Sequence, residues 1–219
     1  MAYTAWSVVF GEQPTAAKWN QLGTNDAGFK DGTNIDDDAI IQRHIADNQI
    51  LPAQLTSAAR WWEELARVTV TSGTSSSLDT GTITAKKYLM IIEVWVPSGG
   101  SNAARLQFNG DTGSNYAFRY NSNGGAESSS VSQTALASGS ANSGTIGYAI
   151  SDFINISNKE KLGNSRETVS LAAGAGTNPD RYELARKWAN TSAQITRVVM
   201  TSSANTFGVG TELIVLGHD

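Results

Sequence analysis

The stretch Tyr88–Val96, YLMIIEVWV, decides the fold class. An extended strand sends successive side chains to opposite faces. Met90, Ile92, Val94 and Val96 then point one way, and Leu89, Ile91 and Trp95 point the other, with Glu93 among them. A strand in a two-sheet protein needs only one apolar face. The second face has to be covered by another segment or another subunit, and the closing run LIVLG shows the same excess.

Outward from this strand the period-two pattern continues, with turn residues between runs. RVTV, GTITA, ARLQF, YAFRY, TIGYAISDFINI, ETVSLAA, RYELARKWA, QITRVVM and TELIVLG all read as strands. No helices intervene to make parallel crossovers. The expectation is a mainly β protein whose residues 68–219 form an antiparallel β-sandwich of jelly-roll type, two sheets sharing one core.

The Ser/Gly/Asn/Ala-rich region Asn121–Gly144 reads mostly as an exposed loop, with a short strand near Val131–Leu136. Loops of that length are usually functional or mobile. With Pro97–Ala104 it forms the expected tip surface. In FNGDTGSNYAFRY, Asn109, Asp111, Gly113 and Asn115 alternate as in a calcium loop, but Tyr120 stands where such a loop needs a bidentate Glu. The better reading is a β-hairpin turn built on Asn-Gly. Tyr116, Phe118 and Tyr120 share one face of the next strand, and Arg119 points the other way. These four are the expected ligand-binding residues, against the ordinary reading of period-two aromatics as core.

The N-terminal third reads differently. Ile35, Ile40, Ile45, Ile50 and Leu55 recur every five residues. On a helix of ~3.6 residues per turn a step of five makes no stripe, and on a strand it alternates faces. The ladder suits a chain that bends once per repeat and points each aliphatic at a shared axis. One row of Ile buries too little to offset its own ordering. The segment therefore needs sister chains, most simply in a homotrimer. Residues 1–34 read as an anchor carrying Trp6 and a short helix with Trp19 and Leu22 on one face, capped by Thr15 and closed by Gly23. Residues 35–67 read as the ladder stalk, ending in a helical collar, TSAARWWEELAR. Trp61 and Trp62 join the ladder residues as the expected oligomer interface.

Composition bounds the function. Only 16% of residues are charged, against about 25% in an average soluble domain. Net charge is −4 and Lys and Arg form no cluster, so a nucleic-acid partner is not expected. No apolar run reaches the ~20 residues of a membrane span, and the opening MAYTAWSVVFGEQP lacks the pattern of a secretory signal. There is no cysteine, and the two histidines, His44 and His218, are too few for a His-rich metal site. No Gly-x-Ser-x-Gly elbow, His-x-x-x-His pair or Walker loop is present. The Asp36–Asp38 run reads as a solvated turn. No catalytic residue, metal or cofactor is expected. A glycan-cutting enzyme built on two converging carboxylates is the weakest reading, since nothing singles out a pair.

The opening W-x-x-x-x-G-x-x-x-TAAKWN resembles the start of many small bacteriophage structural proteins. The ladder D-x-x-I-x-x-x-x-I-A-D-N-x-I-x-P-A-Q-L resembles the short repeats of phage fibre shafts. FNGDTGSNYAFR and the ending W-x-N-T-S-A-Q-I-T-R-V…F-G-V-G-T-E-L-I-V-L-G are similar to the β-sandwich tips of phage fibre and minor structural proteins. The resemblance implies a trimeric virion component, made in the host cytoplasm and exposed on the particle. Its N-terminal part would join other virion proteins of tail, neck or capsid. Its β-rich part would project as a tail fibre or receptor-binding tip meeting a host-surface glycan. The alternative it implies is a capsid-attached fibre or head decoration protein that binds no receptor.

Overall fold

The computed structural model describes residues 11, 13, 15–17, 19–20 and 61–219. The ladder residues Ile35, Ile40, Ile45, Ile50 and Leu55, and the anchor residues Trp6 and Leu22, lie outside that set. The chain divides into two units, Met1–Ala59 and Arg60–Asp219. In the first, residues 16, 17, 19 and 20 are helical. The Trp19 N–H donates to the Thr15 carbonyl at 3.1 Å, and Trp19 itself is exposed.

The second unit holds twelve strands. They are β1 Glu63–Thr69, β2 Ser77–Asp79, β3 Tyr88–Trp95, β4 Ser101–Phe108, β5 Tyr116–Ser122 and β6 Ser128–Gln133. Then follow β7 Leu136–Asn142, β8 Gly147–Ile154, β9 Lys161–Val169, β10 Asp180–Trp188, β11 Val198–Ser202 and β12 Glu212–His218. One sheet has eight strands in the order β1-β12-β3-β8-β9-β10-β5-β6, and the other has four, β2-β11-β4-β7. Every pairing is antiparallel.

The strand order separates into a frame and two insertions. β1-β12-β3-β8 face β2-β11-β4-β7, and the chain changes sheet at nearly every step between them. The pair β5–β6 is inserted between β4 and β7, and the pair β9–β10 between β8 and β11. Both insertions join the same sheet beyond β8 and lie side by side.

β3 shows the alternation its sequence predicts. Leu89, Ile91, Glu93 and Trp95 are fully buried, while Met90, Ile92 and Val94 lie half-buried on the outer face. Leu106 and Phe108 of β4, Met200 of β11 and Val215 of β12 complete a core common to both sheets. Phe108 meets Phe153 edge-on at 5.1 Å and Trp188 at 5.6 Å. Trp95 packs flat over Gly147, its partner across β3 and β8. A Cβ on Gly147 would sit 2.0 Å from the indole ring. Gly147→Ala should therefore cost about 3 kcal/mol through overpacking. That is a fall of roughly 5–10 °C in the melting temperature of a domain this size. Thermal unfolding checks it, and a fall below about 2 °C would mean the ring moves freely.

Three expectations need correction. The helical collar is, from Glu63 onward, strand β1, so the sheet begins before residue 68. The spacing of Trp62, Ala66 and their neighbours suits a helix, but pairing with β12 satisfies the backbone and half-buries Val68 beside Leu213. The supposed loop Asn121–Gly144 contains strands β6 and β7, whose Ser, Ala and Gly residues give no apolar alternation. GTITA, in contrast, is not a strand, although Ile83 is buried and its N–H donates to the Thr196 carbonyl.

The Asn-Gly turn is also not a hairpin. Asn109 (φ 54°) and Gly110 (φ 70°) are both left-handed, and the Asp111 N–H donates to the Phe108 carbonyl at 2.9 Å. This is the local geometry of a hairpin turn. Yet β4 belongs to the small sheet and β5 to the large one. The Asp111 carboxylate steers the crossing by accepting from Trp188 Nε1 at 2.7 Å, Asn115 Nδ2 at 2.9 Å and the Gly113 N–H at 2.9 Å. Burial opposes the charge on Asp111, but these donors together outweigh it and lower the carboxyl's pKa.

Candidate functional site: a two-lobed groove over a buried ionic cluster

The large sheet is fastened from within by charge. Glu93 of β3, Glu167 of β9 and Arg186 of β10 are all but completely buried. The Arg186 guanidinium donates to Glu93 Oε1 at 3.3 Å, to the Ser151 hydroxyl at 2.9 Å and to the Ser138 hydroxyl at 3.0 Å. It also bonds directly to Glu167. The second Glu167 oxygen accepts the Gly139 N–H of β7 at 2.7 Å. Ser151 and Ser165 link the two acids by hydroxyl bonds of 3.1–3.3 Å. One guanidinium faces two carboxylates, so the cluster carries an excess negative charge when both are ionised. Burial pushes the Glu93 carboxyl up to about 7, against the pull of Arg186 and with the push of Glu167. The cluster ties β7 of the small sheet to β3, β8, β9 and β10 of the large one. Those four strands form most of the floor of the groove on the opposite, outer face.

The groove follows from cross-strand register. Asp152 of β8 pairs with Asn164 of β9, which pairs with Ala185 of β10, which pairs with Arg119 of β5. The small side chain of Ala185 leaves a depression in the middle of that row. On one side opens a polar lobe of about 840 Å³, lined by Arg119, Glu127, Tyr148, Arg166, Thr168 and Glu183. On the other opens an apolar lobe of about 600 Å³, lined by Trp61, Trp62, Tyr88, Ile154, Leu162 and His218. Asp152, Asn164 and Ala185 line both lobes.

The two lobes differ in chemistry. In the apolar lobe the His218 ring stacks on Trp61 at 5.6 Å and on Tyr88 at 6.4 Å. Trp61 is 77% exposed and Leu162 54% exposed. In the polar lobe Arg119 and Glu127 pair at 2.8 Å in solvent. The side chains of Asp152 and Arg166 have no hydrogen-bond or ion-pair partner among the described residues. Tyr148 presents an exposed ring beside Thr168, its register partner. An aromatic face beside free carboxylate, amide, guanidinium and hydroxyl groups can stack on an apolar ring face and bond to hydroxyls around its rim.

The expected ligand residues are divided by the sheet. Arg119 lines the polar lobe. Tyr116 is 1% exposed and belongs to the core. Its hydroxyl accepts the Phe108 N–H at 2.9 Å and donates to the Asp111 carbonyl at 3.0 Å, and burial pushes the phenol up to about 12. Phe118 and Tyr120 lie on the inner face, opposite Arg186 and Leu184. Trp61 and Trp62 meet at the His218 end of the groove. Sequence reading missed Tyr148, Asp152, Asn164 and Arg166. Their signal was weak: apolar Ile150 stands between Tyr148 and Asp152 on the outer face of YAISD, and every residue of NSRET is polar, so polarity does not separate Asn164 and Arg166 from the buried Ser165 and Glu167. No protein-family model, curated protein or solved structure matches this chain.

Proposed function

We propose that this chain is a bacteriophage virion structural protein, a homotrimeric fibre joined to the particle by its N-terminal part and binding a host-surface glycan through its β-rich part. The assembly half of the reading rests on the five-residue Ile ladder and on the resemblance of the opening and closing motifs to phage fibre proteins. The binding half rests on one observation, the polar lobe, which Tyr148 lines together with the unpaired side chains of Asp152 and Arg166. The frame order β1-β12-β3-β8 against β2-β11-β4-β7 supports a jelly-roll reading of the fold, widened by two inserted pairs. The apolar lobe favours a second reading, in which that end of the groove seats a capsid or neck protein and the chain decorates the particle without binding a receptor.

Two measurements test these halves separately. Light scattering on the whole chain should give a mass of about three protomers of 23.2 kDa. A chain shortened to Arg60–Asp219 should be monomeric, and a monomer in the whole chain would remove the fibre. Tyr148→Ala with Arg166→Ala should weaken binding to host-cell surface polysaccharide about tenfold or more, through loss of stacking and of a charged hydrogen bond. Unchanged binding would move the receptor contact off this face and favour the decoration reading.

A further inference from the structure

The large sheet has twice as many strands as the small one, so the inner face of its inserted part is not fully covered. β7 is the edge strand of the small sheet, and it packs on β9, β10 and β5 of the large one. A cleft of about 280 Å³ opens there between the sheets. Phe118, Tyr120 and Tyr182 wall it, and Ser130, Ser138 and Ser140 line it with hydroxyls. It lies on the opposite side of the sheet from the groove, and nothing in the proposed function uses it.

Three observations describe what this cleft accepts. First, the rings are held in place. Tyr182 lies against the backbone of Gly139, where a Cβ would come within 2.6 Å of the ring. Phe118 and Tyr120 are fixed to each other at 6.2 Å. Second, polar groups in it are unspent. The hydroxyls of Tyr120, Tyr182 and Ser130 make no hydrogen bond among the described residues. Ser138 is engaged by Glu93 and Arg186, and Ser140 by Ser101. Third, no charged side chain among the described residues lines it. Arg186, Glu93 and Glu167 lie behind Ser138 and are occupied with one another. An ionic ligand would be left unmatched there. A ligand with apolar ring faces and neutral hydroxyls at its edge would be matched on every side. The volume is below the ~300–1,000 Å³ of sites for larger ligands, which limits it to about one ring.

We infer that this inter-sheet cleft is a binding site for a single neutral pyranose unit, stacked among Phe118, Tyr120 and Tyr182 and hydrogen-bonded by Tyr120, Tyr182 and Ser130. This goes beyond the outer groove and does not depend on it. The probes are neutral methyl pyranosides at about 10 mM, in the range expected for a small, shallow site, read by saturation-transfer NMR on the full chain. Transfer to at least one of them is expected, at millimolar affinity. Tyr120→Phe with Tyr182→Phe keeps the rings and removes two donors, and should weaken binding about tenfold. The comparison is made in the Tyr148→Ala, Arg166→Ala background, so that the outer groove does not contribute, and Val209→Ala, exposed and lining neither site, should leave binding unchanged. No transfer from any pyranoside would overturn the inference. So would an undiminished affinity in the double phenylalanine variant, a loss caused by Val209→Ala, or complete displacement by indole, which would mark the cleft as merely apolar.

Discussion

Arg186→Met is expected to destabilise the β domain by about 3–5 kcal/mol at neutral pH, the usual cost of stranding the partner charges of a buried ion pair. The residue looks replaceable by volume, since methionine fills irregular space well. The cost comes from what is left behind. Glu93 and Glu167 are buried, and Ser138, Ser151 and Ser165 alone cannot neutralise two carboxylates. At least one acid must then take up a proton on folding. The deficit of Arg186→Met should accordingly shrink as pH falls, and Glu93→Gln introduced with it should recover part of the loss. Urea unfolding at several pH values reads both effects. A loss below about 1 kcal/mol, in the range of an exposed pair, would show that water reaches the cluster.

The second large effect is on pH dependence in the unaltered protein. The Glu93 carboxyl sits at about 7 in the fold, against 4.5 as its ordinary value, because burial disfavours its charge more than Arg186 favours it. Between those values the folded chain holds a proton that the unfolded chain releases. Stability is therefore fully present below about 4.5, declines as pH rises towards about 7, and is level above. The shift corresponds to roughly 3 kcal/mol across that window. Asp79 and Glu64 have the opposite sign. Hydrogen bonds from Arg197 and Arg67 hold their carboxyls below the usual range, so their small, solvent-screened contributions fade in acid. Stability should peak near the acid end of the window. Glu93→Gln, which carries the protonated hydrogen-bond pattern at every pH, should flatten the decline and melt higher than the parent above pH ~7. Parallel melting curves for parent and variant across the window would refute the assignment.

The strands with apolar inward faces were legible in the sequence, because burial of one face imposes period two. Leu89, Ile91 and Trp95 point inward as their alternation predicts, and so does Glu93, the one residue out of character among them. That misfit was the only trace of the ionic cluster. Arg186, in the run ELARKW, looks like any surface cation until β7 is placed over it. β7 itself was illegible. Its sequence LASGSAN buries small residues against other strands, and burial of Ser138 and Gly139 rests on hydrogen bonds to Arg186 and Glu167 rather than on hydrophobicity. The Asn109–Gly110 turn was correctly read as a reversal of the chain, but local geometry does not say which sheet the next strand joins. That was settled by Asp111 reaching Trp188, a residue 77 positions away. The aromatic run Tyr116, Phe118, Tyr120 was correctly grouped on one face, but which face met solvent depended on where the small sheet ends.

The side-by-side placement of the two inserted strand pairs carries a consequence for how far the sheet tolerates deletion. β9 pairs with β8 of the frame, β10 with β9, β5 with β10 and β6 with β5. The β5–β6 pair comes earlier in the chain, yet within the sheet its hydrogen bonding reaches the frame through β9–β10. Without β9–β10 the β5–β6 pair would have no neighbour in the sheet, whereas without β5–β6 the order β1-β12-β3-β8-β9-β10 stays paired throughout. The same dependence governs trimming in the laboratory. Excising Asn115–Ala135 removes the outermost layer and leaves β10 as a new edge, whereas excising the β9–β10 pair orphans everything beyond it.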